Sequence, residues 1–410
     1  MGLSAYQKRL LDRNIQIIVR LEEGTSPFDV AKEYNVSVAT VYNIQKAFKE
    51  QKIKGLIPDD KIPLHRPQRL PDVEATTLYI RDKTNLGAEK IYDILVSEHD
   101  KYGINLCDIP HSRTIHSILQ QNGRIIKPKI KTKVRTPDFY RVKDIEHPGQ
   151  TVEMDIKSDH YLKGIPVNLI AAIDISSKVV TGEPYPCQTS QNVSLILISH
   201  VCSYGIPYIL KTDNGAASSG KIDDPSFGIF TRLALFLGIE QVFIPIHEPK
   251  WNTFIERFFG TWDKEFWNIN YFRSYEELFR KHCEFIDYYL KRRPHQGLRR
   301  SKCNSDHTKI PLQFFDKYAT PRYPEMSWEA LTNLLSNHKI PITKGKVSFL
   351  RRVPKSSIVS FKGHKIKVPD SLIGQVVKGT VFVEPGESTY KMALYFHDMR
   401  IKDILYRTGR

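Results

Sequence analysis

Ile-Leu-Lys-Thr-Asp-Asn-Gly, residues 209–215, is the stretch on which the fold turns. A short buried strand runs directly into an acid, an amide and a glycine, and open α/β sheets collect functional groups at the carboxyl ends of their strands. Upstream, Thr151–Ile156 is strand-like, Pro166–Ile175 is a near-continuous apolar run, and Ser190–Tyr204 reads as a helix. Around the opening stretch, Pro207–Thr212 is a strand, Pro225–Leu237 a helix and Glu240–Pro245 a short strand. Helices come next at about 252–268 and 274–291. This alternation predicts an α/β sheet with helices on both faces.

The whole chain has 410 residues and a formal net charge of +16, a length that suits two to four domains at roughly 100–200 residues each. Its 40% hydrophobic and 26% charged residues are enough to build cores and unlike a disordered polycation. No run approaches the roughly 18 apolar residues of a membrane span, and the N-terminus lacks an apolar signal region. Tyr6 stands where a myristoylation site needs Ser or Thr. Five cysteines without a CxxC pair argue against a disulfide scaffold or cysteine-rich zinc site. The expectation is a soluble, cytoplasmic protein without a membrane partner.

The charge is unevenly placed. Residues 1–150 carry a net +6, 151–290 a net −5, 291–367 a net +14 and 368–410 a net +1. Between Arg124 and Lys143 stand eight basic residues and one acid. Basic flanks can hold a polyanion through its phosphates, while an acidic middle is free to hold cations.

Residues 4–50 read as three helices. Ser26-Pro27-Phe28-Asp29 opens the second with a capping box and a proline at its first position, and Ser37 caps the third. A short helix, a tight turn and a second helix make a helix-turn-helix, whose later helix would turn Thr40, Tyr42, Asn43 and Lys46 toward a DNA groove. A plain three-helix bundle is the alternative. After a Pro-rich linker, helices are expected at about 72–82, 87–102 and 112–122, with an extended basic linker after them. From about 345, β-rich runs with turns at Lys362-Gly363 and Pro385-Gly386 suggest a small β-barrel.

Three acids stand where the fold could bring them together: Asp155 in the first strand, Asp213 after the strand at 207–212, and Glu256 on an apolar-faced helix. Clustered carboxylates raise one another's pKa unless a cation relieves them. Hard oxygen ligands suit Mg²⁺ or Mn²⁺, and two such ions about 4 Å apart serve phosphoryl transfer. Asp159, Asp174, Asp223, Asp224, Glu248 and Glu265 read as ordinary surface acids. Spacing alone does not single out the triad.

Its neighbours do. Thr-Asp-Asn-Gly at 212–215, Gly238-Ile239, Pro249 with Asn-Thr-Phe-Ile-Glu-Arg-Phe at 252–258, and Arg-Pro-His-Gln-Gly-Leu at 293–298 stand in order. Together they resemble the DDE transposases of bacterial insertion sequences, within the retroviral-integrase superfamily. The resemblance implies a multidomain chain: a helix-turn-helix domain at 1–57, a second helical DNA-binding domain at 72–123 and a basic linker at 124–149. An α/β RNase H-like core at 150–300, a helix-bearing linker at 301–344 and a C-terminal β-barrel at 345–410 complete it. Asp155, Asp213 and Glu256 match the catalytic, metal-binding triad, with two Mg²⁺ or Mn²⁺ ions per site.

In function, the resemblance implies a transposase that cleaves element ends to expose 3′-hydroxyls and joins them to target DNA. It would act as a homo-oligomer on double-stranded DNA in the bacterial cytoplasm, and any ATP use would require a separate accessory ATPase or other transposition protein. Lys127, Lys129, Lys131, Lys133, Arg135, Arg292, Arg293, Arg299 and Arg300 are expected at DNA phosphates, and His295 in a structural or backbone contact. The chain also departs from the family. The Asp213–Glu256 interval of 42 residues is longer than usual, Thr253 replaces a glycine, and Asp263 stands where relatives often carry a DNA-contacting Lys. A metal-dependent nuclease without strand transfer and a domesticated DNA-binding regulator remain alternatives.

Overall fold

The structure is a computed structural model that describes residues 5–57, 71–125, 147–219, 226–246, 248–298 and 304–408. Two compact units divide it, Met1–Leu70 and Pro71–Arg410. Lys127, Lys129, Lys131, Lys133, Arg135, Arg299 and Arg300 lie outside the described residues, as do Asp223 and Asp224.

The first unit holds α1 (Ala5–Glu22), α2 (Pro27–Glu33), α3 (Val38–Gln51) and the single turn α4 (Ile53–Leu56). Ser26 Oγ accepts from Asp29 N at 3.2 Å and Ser37 Oγ from Thr40 N at 3.1 Å, so both helices start at a hydroxyl cap. Ile17, Ile18, Val30, Ala31, Val41, Ile44 and Leu56 form the core. Asn14 donates to Leu56 O at 3.0 Å, tying α1 to the last turn.

The larger unit begins with α5 (Pro71–Thr84), α6 (Ala88–Ser97) and α7 (Ser112–Gln121), packed around Ile80, Ile91, Leu95 and Ile115. This segment is part of the larger body rather than a separate one. Next come β1 (Thr151–Leu162), β2 (Ile165–Asp174), β3 (Val180–Tyr185), α8 (Ser190–Tyr204), β4 (Ile209–Thr212), α9 (Ala216–Ser219), α10 (Ile229–Phe236) and β5 (Glu240–Phe243). After these stand α11 (Thr253–Glu265), α12 (Tyr275–Lys291), α13 (Pro311–Tyr318), α14 (Trp328–Ser336) and β6 (Gly345–Arg352). The chain ends with β7 (Ile358–Phe361), β8 (His364–Lys367), β9 (Val376–Val383), β10 (Thr389–Phe396) and β11 (Met399–Arg407).

A mixed sheet of nine strands runs through this unit in the order β11-β10-β9-β6-β5-β4-β1-β2-β3. β1, β4, β5 and β6 are mutually parallel, and the remaining neighbours are antiparallel. Alternation along β1 and β2 splits two cores. Val152, Met154, Ile170 and Ala172 pack against α8, α10 and α14 on one face. Leu169, Ala171 and Ile173 pack against Ile255, Phe258 and Trp262 of α11 and Phe285 of α12 on the other.

The strands expected to form a separate barrel at 345–410 instead continue the central sheet. β6 pairs in parallel with β5, Gln241 opposite Val347 and Phe243 opposite Phe349. Leu235, Phe243, Val347, Phe349 and Phe361 share one core, so the C-terminal strands are built onto the α/β body. Among the described residues no helix is long and apolar enough to cross a membrane.

Candidate active site

β1 and β4 lie side by side in parallel, with Glu153 opposite Lys211 and Met154 opposite Thr212. Asp155 follows Met154 on β1, and Asp213 follows Thr212 just past the end of β4. Both acids are half-buried. Ile156 N donates to Asp155 Oδ1 at 2.8 Å, and Ser218 Oγ donates to Asp213 Oδ1 at 3.3 Å. Burial, then the charge of Asp213, with smaller contributions from Glu256 and Glu153, pushes the Asp155 carboxyl up to about 7. Asp213 and Glu256 thus both bear on the Asp155 carboxyl.

Glu256 is exposed on the first turn of α11, where the helix dipole favours a negative charge. Its helix starts without a side-chain cap from Asn252. The vacant N–H groups of Phe254 and Ile255 instead donate to Glu153 Oε2, at 2.8 and 3.1 Å. Asn252 is fully buried, and neither polar atom of its side chain has a partner among the described residues. No group of three His, Cys, Asp or Glu side chains among the described residues stands close enough to make a ready metal cage.

Two arginines of β6 brace the loops that carry the acids. Arg351 donates to Asn214 Oδ1 at 2.8 Å, and Asn214 donates to Ile244 O at 2.6 Å. Arg351 has 7% of its surface exposed and, among the described residues, bonds neutral acceptors; burial lowers its guanidinium to about 10. Arg352 forks Glu248 at 2.5 and 2.7 Å, and Glu248 accepts from Trp251 Nε1 at 3.0 Å, fixing the turn before α11.

Other expected roles change. Arg293, expected at a DNA phosphate, is 4% exposed and binds Glu265 through Nε at 2.5 Å and Nη2 at 2.7 Å. Its charge is thereby spent inside the fold. Arg292 is exposed, with its guanidinium 5.6 Å from the Tyr288 ring centre. His295 donates its backbone N–H to Lys309 O at 2.7 Å, and burial with the nearby Arg293 cation keeps its ring well below the usual histidine range. Asp263 binds His160 Nε2 at 2.7 Å and Lys157 Nζ at 3.1 Å.

Three acids read as ordinary surface groups are tied into the structure. Asp174 is 1% exposed and accepts from Gly149 N, Ser177 N and Ser177 Oγ at 2.8, 2.6 and 2.6 Å, which holds the β2–β3 turn. Glu248 and Glu265 are the arginine partners just described. On α3, Tyr42, Asn43 and Lys46 are exposed. Thr40 is half-buried, its hydroxyl 2.8 Å from Ser37 Oγ.

Sequence reasoning passed over Glu153, Lys211, Asn214 and Arg351. Glu153 was within reach, because it lies two residues before Asp155 and so on the same strand face. Arg351 carries no local signal; its partner is 137 residues away in the chain.

Residues 237–301 match the family model described as integrase core domain. Among solved structures, the simian T-cell lymphotropic virus intasome in complex with PP2A regulatory subunit B56 gamma aligns at 14% identity and a TM-score of 0.37. That alignment covers 82% of this chain and 99% of that one. The HTLV-2 integrase catalytic core domain in complex with magnesium, in its dimeric form, aligns at 15% identity and a TM-score of 0.31, over 41% and 97%. Similarity this low carries no functional weight. The matched segment contains Glu256 and α11. That segment of the chain, residues 237–301, is thus similar to an integrase core domain.

Proposed function

We propose that this chain is a DNA transposase. It would cut the ends of a mobile element to free 3′-hydroxyls and join them to target DNA, with Asp155, Asp213 and Glu256 as its catalytic carboxylates in an RNase H-like core. The observation that carries the reading is that Asp155 on β1 and Asp213, just past the end of the parallel neighbour β4, come close enough for the Asp213 charge to raise the Asp155 carboxyl. Glu256 lies near enough to add to the rise in the Asp155 pKa.

The donor set fits a hard divalent cation: three carboxylates, two of them adjacent and half-buried, whose mutual repulsion a cation would relieve. When bound, Mg²⁺ or Mn²⁺ supplies charge neutralisation at the reacting phosphate and activation of the attacking oxygen. Asp155 and Asp213 would hold it from the rigid sheet and Glu256 from the helix. Gly215 keeps the space beside Asp213 open, since a methyl there would stand 2.9 and 3.1 Å from the two carboxylate oxygens. Gly215→Ala should fold normally yet bind Mn²⁺ roughly tenfold more weakly, as displaced ligands do; titration calorimetry checks this. Water is consumed in the cut and the joining exchanges one phosphodiester for another, so neither step would need nucleotide hydrolysis or a covalent protein–DNA intermediate.

DNA recognition is assigned to the first unit, with α2 and α3 as a helix-turn-helix. Exposed Asn43 suits an adenine edge and Lys46 a phosphate. Asn43→Ala should cost about 1–3 kcal/mol at one base position. Lys46→Ala should weaken binding to all sequences and reduce the salt slope by about 1. Fluorescence anisotropy across a salt series separates the two. A groove of about 890 Å³ on the C-terminal strands sets Lys346 beside the aromatic faces of Phe382 and Tyr395, while its Arg352 and Lys378 are paired with Glu248 and Glu240.

The test is incubation with element-end DNA, a target plasmid and Mg²⁺, comparing wild type with Asp213→Asn. Joined products from the wild type alone support the reading. Nicking without joining would favour a nuclease. Binding without either product, even with helper proteins, would favour a regulator.

A further inference from the structure

We propose that Glu153 and Lys211 are positioning residues that set where Glu256 stands relative to Asp155 and Asp213. This role rests on the reading of those three acids as one metal-binding set.

The two residues face each other across β1 and β4, with Glu153 fully buried and Lys211 9% exposed. Lys211 Nζ lies 2.7 Å from Glu153 Oε1 and donates to Trp251 O at 2.5 Å. Glu153 Oε2 accepts from Phe254 N and Ile255 N, at 2.8 and 3.1 Å. A carboxylate on a central strand therefore acts as the N-cap of α11, which has no side-chain cap of its own. Its lysine partner holds the carbonyl just ahead of that helix. Both ends of the α11 entry are gripped by one ion pair, and Glu256 comes directly after Ile255.

Strand geometry explains why this grip matters to the acids. Side chains two residues apart on a strand share a face, at roughly 6.5 Å spacing. Glu153 with Lys211 forms one rung; Asp155 stands next on that face of β1, and Asp213 follows β4 two residues after Lys211. The clamp and the two strand acids thus share one rigid frame, and the clamp transfers that frame to the helix carrying the third.

Stability alone is a poor reason for the pair. Two buried charges carry a large desolvation cost, and a well-packed apolar pair often serves as well. The hydrogen bonds from both members to the same turn give the pair a geometric purpose.

Single substitutions would strand a buried charge, so the informative variant replaces both and removes the acceptor: Glu153→Met with Lys211→Met in the full chain. It should keep its helical circular dichroism and a melting temperature near wild type. Mn²⁺ affinity should fall roughly 10–100-fold, as when groups behind metal ligands are removed. The kcat for strand cleavage should fall with it, while KM for DNA stays put. Hydrogen exchange gives a reading that does not depend on the reaction: the Phe254 and Ile255 amides should be protected in metal-free wild type and exposed in the variant.

Free exchange of those amides in wild type would overturn the proposal, as would a variant with wild-type Mn²⁺ affinity and cleavage rate. If the wild-type chain binds no Mn²⁺, the triad reading falls and takes this proposal with it. If wild type and variant bind equally well, the triad reading stands and only the clamp falls.

Discussion

Asp213→Asn should lower strand cleavage and joining on the order of a thousandfold while leaving affinity for element ends within about threefold of wild type. The amide matches the carboxylate in shape and can still accept from Ser218, so the loop after β4 has no reason to move. What is lost is one of the negative charges that bear on the Asp155 carboxyl. An amide cannot replace a carboxylate as an anionic ligand to a hard cation. DNA binding is assigned to other parts of the chain, the exposed face of α3 and the basic segments, so it should survive. Gel-based transfer assays read the first effect and anisotropy the second. Equal loss of both would mean that the acids support the fold rather than the chemistry.

Asp155→Asn should be equally inactive but should change stability in the opposite sense. The folded carboxyl titrates near 7, well above an ordinary aspartate, because burial and three neighbouring acids oppose its charge. A raised folded pKa gives stability that is fully present below the unfolded value and lost as pH climbs through the folded one. Metal-free wild type should therefore weaken between about pH 4 and pH 7, and the variant should not. At pH 8 the variant should melt roughly 2–6 °C higher, with no advantage at pH 4. Mg²⁺ should narrow that gap by stabilising wild type, since it binds the charged form of the site. A pH-independent difference in melting temperature would remove the charge-cluster account. Such a gain from removing an acid proposed as catalytic would be the usual exchange between function and stability.

The same residues show what a sequence can convey about this fold. The alternation in Thr151–Ile156 places Glu153 and Asp155 on one strand face, and the apolar run ahead of Asp213 puts that acid at a strand end. Local periodicity suffices for both, because each depends on residues within a few positions. Strand partnership is different. A period of two shows which side of β6 is buried, and nothing in residues 345–352 reveals that its partner is the edge of β5. The C-terminal strands therefore looked like a domain of their own. Buried polar ties were hidden for the same reason. Asp174 resembles any turn acid until Gly149 and Ser177 are seen to donate to it. Arg293 stands in a run of basic residues that suggests solvent, while Glu265, 28 residues earlier, draws it inward.

That last contact leads to the largest expected loss of stability. Arg293→Met should destabilise the larger unit by about 3 kcal/mol, the lower end for breaking a buried pair, because one partner of Glu265 remains. Arg293 and Glu265 have only 5% and 9% of their side-chain surface exposed, and Lys90 Nζ also lies 3.2 Å from Glu265 Oε1. The three side chains join the segment after α12 to α11 and α6. Their loss should loosen the contact between the helical segment and the core, lowering the melting temperature by roughly 6–10 °C. The Lys90 ammonium offers an independent check. Burial first, and then the Arg293 charge, holds it near 8, so its pKa should rise in the variant. Adding Glu265→Gln should recover part of the loss, since the two changes are coupled through one contact. Placing Arg293 on a DNA phosphate leads to the opposite pattern, with the melting temperature unchanged and the salt slope of DNA binding reduced by about 1. The buried fork to Glu265 argues for the first pattern, because a guanidinium already matched to a carboxylate has to break that pairing before it can reach a phosphate.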